Sequence, residues 1–155
     1  MTNTRTMLER IPGDRLDFRP HEKSYSLLQL SGHIAFLPQW TTVTMETEEL
    51  DLEEPMQREE PATKEDVLAE FDRAVESARN ALKDASAADL AVPWTLRSAD
   101  ETWFTMPRGA VYRSMVMNHL VHHRGQLCVY LRLLDVPGPG MYGPSADEQP
   151  PADVA

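Results

Sequence analysis

The sequence predicts an all-α protein, a bundle of helices around one core. Three observations carry this: long segments repeat apolar residues at three- and four-residue spacing, their connections are irregular, and no strand pattern recurs. At 155 residues the chain is the size of one domain. With 41% hydrophobic and 26% charged residues it is too apolar to be disordered.

Thr2–Ile11 is helical in character but too short to cover a bundle face. Ser24–Trp40 carries Leu27, Leu30, Ile34 and Leu37 as one stripe, with Ser24 as N-cap. Pro38, lacking an N–H, should kink its last turn. Glu46–Glu60 holds eight carboxylates against Arg58 alone and is bounded by proline, so it reads as a solvated crossover connection. The alternating ligands and central glycine of a calcium loop are missing from it. Thr63–Ala85 opens on a capping pattern, Thr63 with Asp66, followed by Val67, Phe71, Val75, Ala78 and Leu82. Leu90–Met106, rich in Trp, Thr and Phe after Pro93, suits a short extended or hairpin segment before the last helix. Pro107–Leu134 is the longest helix, entered at Pro107 and stopped by Val136–Gly140. The proline- and glycine-rich tail should run irregularly. One domain is expected over residues 1–149, with a disordered end at 150–155.

The net charge of −10, with no cluster of Lys and Arg, argues against nucleic acid and anionic membrane surfaces as partners. No apolar run approaches the length of a membrane span. The polar opening Met1–Arg10 is unlike a secretory leader, and a cytoplasmic protein is expected. A lone cysteine, Cys128, excludes an internal disulfide and any Cys-rich zinc or iron–sulfur site.

Three of the five histidines crowd into Asn118–Gln126. At about 100° per residue, His119 and His123 stand about 40° apart, on the side of Val116, Leu120, Leu127, Tyr130 and Leu134. That spacing lets two imidazoles share one metal ion. His33 edges the stripe of Leu30, Ile34 and Leu37 on the second helical segment. Three imidazoles from two helices, with a position left over, suit Zn²⁺, Ni²⁺ or another borderline divalent ion. The bland alternatives are a hydrogen-bonded core histidine at His33 and a chance His-x₃-His pair. Burying three imidazoles without a shared partner would cost stability, which favours the metal. Leu120 stands where a zinc protease of the His-Glu-x₂-His type has its glutamate, so that hydrolase is disfavoured.

Around this set, His122 is either a general base at the rim or a surface histidine. Gln126, one turn beyond, is either an orienting partner of a ligand or a structural hydrogen bond. Trp40, Tyr112 and Tyr130 fall near the ligand side of their wheels and are either substrate pocket or core. Cys128 falls on the opposite side and reads as inert.

Arg19–Ser24, Leu30–Ala35, Asn118–Leu127, Tyr130–Arg132, Val136–Pro137 and Tyr142–Glu148 together resemble the DinB-like proteins, the DinB/bacillithiol-transferase superfamily. The resemblance spans most of the chain. It implies a four-helix bundle with a long crossover connection, commonly dimeric. It also implies one divalent metal on a histidine of the second helix and a His-x₃-His pair of the fourth, here His33, His119 and His123. The short first helix departs from that pattern and leaves the covering of one bundle face open, as in a chain that starts late. The resemblance further implies a metal-dependent small-thiol S-transferase acting on electrophilic small molecules. The alternatives are a metal-dependent small-molecule hydrolase and a non-enzymatic metal-binding or stress-response protein. A small-molecule substrate such as a low-molecular-weight thiol, and a second copy of the chain, are the expected partners.

Overall fold

A computed structural model describes residues 1–54, 56 and 58–148; the expected end segment at 150–155 lies outside them. In chain order the elements are α1 (Thr2–Leu8), α2 (Leu27–Phe36), α3 (Gln39–Glu46), β1 (Glu49–Asp51), α4 (Lys64–Leu82) and α5 (Ala87–Ala91). They continue with β2 (Pro93–Ser98), β3 (Glu101–Pro107), α6 (Arg108–Val111), a π-helical stretch Tyr112–Asn118, and α7 (His119–Leu133). No helix among the described residues is long and apolar enough to cross a membrane.

The all-α expectation is overturned by a three-stranded mixed sheet, ordered β1-β2-β3. The expected hairpin is there: β2 and β3 pair antiparallel from Pro93↔Pro107 to Ser98↔Glu101, with an irregular register at Leu96/Arg97. The added element is β1, which pairs parallel to β2 within the acidic stretch read as a solvated connection. Its like charges are answered from across the sheet. Arg97 Nε donates to Glu49 Oε1 at 2.9 Å, and its Nη1 donates to Asp51. The other Asp51 oxygen accepts the backbone N–H groups of Glu53 and Ala99 at 3.0 and 3.1 Å. Leu50 and Leu52 meanwhile pack toward the buried Trp94, Leu96 and Val111. A run of carboxylates is therefore extended here as a paired strand, because each strand acid has a donor to face.

The second helical segment is two helices. Ser26, not Ser24, caps α2: its hydroxyl accepts the Gln29 N–H at 3.1 Å, and the Gln29 side chain accepts the Ser26 N–H at 3.0 Å. Ser26 wins because Gln29 stands three positions on and completes the capping box. Pro38 sits at the N-cap of α3 and so breaks the segment outright. Thr63 and Asp66 form the expected box at the start of α4. A similar box, Ser86 with Asp89, starts the short α5, which the apolar pattern does not reveal.

Two apolar clusters share the interior. The larger joins Met7 and Leu8 of α1, Leu27, Leu30 and Ile34 of α2, Val67 and Phe71 of α4, and Leu120, Leu127 and Leu131 of α7. The smaller lies under the sheet around Trp94, and Trp40 touches both. Cys128 is half-buried against the larger cluster, 3.9 Å from where a Cβ on Gly138 would lie, rather than on an outer face. The tail is tied back as far as it is described: both Arg132 Nη atoms donate to Asp147, which also accepts the Gly138 N–H.

One glycine shapes the approach to the site. A Cβ on Gly32 would stand 2.7 Å from Pro61 Cγ, so only glycine lets the connection returning to α4 lie flat on α2 beside His33.

Candidate metal centre

Packing α2 against α7 brings His33, His119 and His123 to one place, with their ligand atoms within 4.8 Å of one another. His119 Nε2 lies 2.8 Å from His123 Nε2 and 3.4 Å from His33 Nε2. Two nitrogens about 2.1 Å from a tetrahedral ion stand about 3.4 Å apart, so the opening between these rings fits such an ion after small shifts.

The outer nitrogen of His123 is held. His123 Nδ1 lies 2.7 Å from Gln126 Oε1 and donates to it, which leaves Nε2 as the lone pair facing inward. The His119 ring lies beside the Met115 backbone, inside the π-helical stretch, which favours its protonated form. π-helical turns recur at functional sites, and this one leads directly into the helix that carries His119 and His123. All three rings are held toward the unprotonated form. Burial holds His33 down to about 4, and the charges of His123, His119 and Arg58 add to this. Burial likewise lowers His119, aided by His122, and lowers His123, aided by His119 and His122, against the opposing influence of the Met115 backbone and Gln126. Converging ring nitrogens held toward the neutral form, on one buried and two half-buried histidines, are what a divalent cation requires of its ligands.

Two pockets flank the set. One of about 430 Å³ reaches His33 between Tyr25, Leu28, Arg58, Glu60 and Pro61. The other, of about 280 Å³, reaches His123 between Ser24, Tyr25, Gln126 and Tyr130. Tyr25 lines both, with its backbone carbonyl fixed by the Tyr130 hydroxyl at 2.9 Å.

The other residues singled out from sequence fall as follows. His122 is exposed, its ring centroid 4.8 Å from that of His123. Trp40 packs edge-on to Trp94 at 6.4 Å, and Tyr112 is half-buried against the larger core. Neither lines the two flanking pockets. For Tyr112 the reason is local: a wheel phased on α-helix does not hold through π-helical residues. Sequence reasoning missed Tyr25, Arg58 and Glu60. The signal for Arg58 was present, as the sole base in the acidic run, but it was read as a counter-charge.

A family profile described as the DinB family matches residues 2–152. The chain belongs to the DinB family. Solved DinB-like proteins share its fold. A DinB-like protein from Bacillus subtilis superposes with a TM-score of 0.70 at 19% identity, covering 91% of this chain and 90% of that one. A second, from Bacillus cereus, gives 0.69 at 21% identity, covering 91% of this chain and 89% of that one. No curated protein matches significantly. The expected family is thus shown, and this DinB protein carries three histidines placed to hold a metal ion.

Proposed function

We propose that this DinB protein holds one divalent metal ion, Zn²⁺ or Ni²⁺, on His33, His119 and His123 and transfers a small thiol to an electrophilic compound. The observation that carries the reading is the convergence of three neutral imidazole nitrogens beside two open pockets. When bound, the ion supplies Lewis acidity and favours an anionic ligand such as a thiolate, since three neutral imidazoles leave its charge uncompensated.

The chain's own residues position and protect. Gln126 holds the His123 proton on Nδ1, and burial biases all three rings toward the neutral form. No cysteine lines either flanking pocket among the described residues, so the reacting sulfur comes from the co-substrate. In the transfer the thiol proton passes to solvent, a sulfur–carbon bond forms, and the bond to the leaving group breaks with its electron pair on the leaving group. In an addition, the thiol proton ends on the acceptor carbon.

A thiol-consumption assay with 1-chloro-2,4-dinitrobenzene tests this. The rate should rise with thiol, vanish on chelation, return with Zn²⁺ or Ni²⁺, and be abolished by His33→Ala. Turnover that ignores thiol would replace the reading with a water-activating hydrolase. No turnover in either assay would leave a metal-binding protein without catalysis.

A second copy of the chain is also proposed as a partner. Val121, Val129 and Leu133 are exposed at four- and eight-residue spacing along α7, an apolar stripe suited to a two-fold contact.

A further inference from the structure

Arg58 stands in the wall of the pocket that opens on His33, and it also lines a groove of about 750 Å³ between α2–α3 and α4. Its guanidinium centre lies over the ring of the buried Phe36, 5.0 Å from the centroid. Nε and Nη2 donate to the two oxygens of Glu60 at 2.9 and 2.6 Å, the paired geometry in which guanidinium recognises a carboxylate. The two partners are unequally held. The Arg58 side chain is 21% exposed, whereas Glu60 is 73% exposed. The base is built into the wall, and the acid is a solvated group whose described polar contacts are to Arg58.

We propose that Arg58 is an anion seat beside the metal centre, binding the carboxylate of a thiol whose sulfur points to the three histidines, with Glu60 filling the seat when it is vacant. The inference rests on the metal reading above and adds the substrate class: a mercapto acid rather than a neutral thiol. Exchanging one carboxylate for another at a fixed guanidinium keeps both hydrogen bonds and returns Glu60 to water, where it already largely resides. A neutral thiol gains nothing from displacing Glu60. The shared pocket places the seat and His33 within reach of one small molecule.

The experiment loads the whole chain with Co²⁺ and titrates it with 3-mercaptopropionate and with 2-mercaptoethanol, reading the thiolate-to-cobalt absorption band. Arg58→Gln should weaken 3-mercaptopropionate about tenfold, as loss of a charge-assisted pair does, and leave 2-mercaptoethanol within about twofold. Glu60→Gln should tighten 3-mercaptopropionate, because the competing carboxylate is gone. Arg58→Lys should fall between, keeping the charge without the fork.

Equal weakening of both thiols by Arg58→Gln, or weaker acid binding in Glu60→Gln, overturns the seat while the cobalt spectrum still stands for the metal site. Tighter binding of cysteamine than of 3-mercaptopropionate by the unaltered protein overturns it in favour of Glu60 as a cation site. A chain that shows no cobalt band overturns the metal reading, and the seat with it. If Arg58→Gln fails to fold, the direction of the Glu60→Gln effect decides the matter.

Discussion

Gln126 Oε1 receives the Nδ1 proton of His123 at 2.7 Å, and this one contact settles which nitrogen of the ring is presented to His119 and His33. The two residues lie one turn apart on α7, His123 buried and Gln126 exposed at the rim. An amide oxygen accepts only, so it selects the tautomer with a bare Nε2, the atom 2.8 Å from His119 Nε2.

Gln126→Leu should lower metal affinity about 10- to 100-fold, the usual cost of removing an orienting partner. Gln126→Glu, which keeps an acceptor at the same reach, should retain it. Competition with a chromogenic chelator measures both. Unchanged affinity in Gln126→Leu would leave the contact a merely structural hydrogen bond.

Changing His33, His119 or His123 singly to Ala should strip most of the metal from protein purified without a histidine tag, as read by elemental analysis. His21→Ala should retain it, since His21 stays on the surface, its Nδ1 accepting the Lys23 N–H. His122→Ala should also retain metal, and should slow turnover only if this exposed ring relays a proton. Full metal content in His119→Ala would end the assignment.

Metal-free protein should lose stability in mild acid. In the unfolded chain His33 titrates near its ordinary value of about 6.5. Burial, with help from the neighbouring charges, lowers it to about 4 in the native state. Between those values the unfolded chain binds a proton that the native ring refuses, so stability falls as pH drops through this window. His119 and His123 are lowered in the same direction and add to the slope. Thermal unfolding at about pH 7 and about pH 5 should show a lower Tm in acid. The gap should narrow in His33→Asn; an equal gap there would mean the slope comes from other groups.

Light scattering should give about twice the chain mass of 17.6 kDa at micromolar concentration. Val129→Asp or Leu133→Asp should return the mass to that of one chain, by placing an unpaired charge in the contact. A single-chain mass for the unaltered protein would remove the second copy as a partner.

How much of this is legible in the sequence depends on the distance over which each feature is decided. His119 and His123 share a side because side-chain direction along a helix is set locally, four residues apart. Thr63 starts α4 and Ser26 starts α2 for an equally local reason: each has, three positions on, a residue able to close the capping box. Between Ser24 and Ser26 the deciding neighbour is Gln29, which stands three positions after Ser26 and five after Ser24.

Other features depend on partners far along the chain. Glu49 and Asp51 become a strand only when Arg97, 48 and 46 positions away, is brought alongside. Arg58 becomes part of a pocket only when Pro61 settles on Gly32 and carries the connection across α2. By itself the sequence determined the capping boxes, the inward side of His33, His119 and His123 and the hairpin, because these follow from backbone geometry over a few residues. Only tertiary structure decided that His33 meets His119, 86 positions away, because that contact exists through the packing of α2 on α7. The mixed sheet belongs with it, since a parallel strand pair has no local signature: its hydrogen bonds join segments that adjoin only in the folded chain.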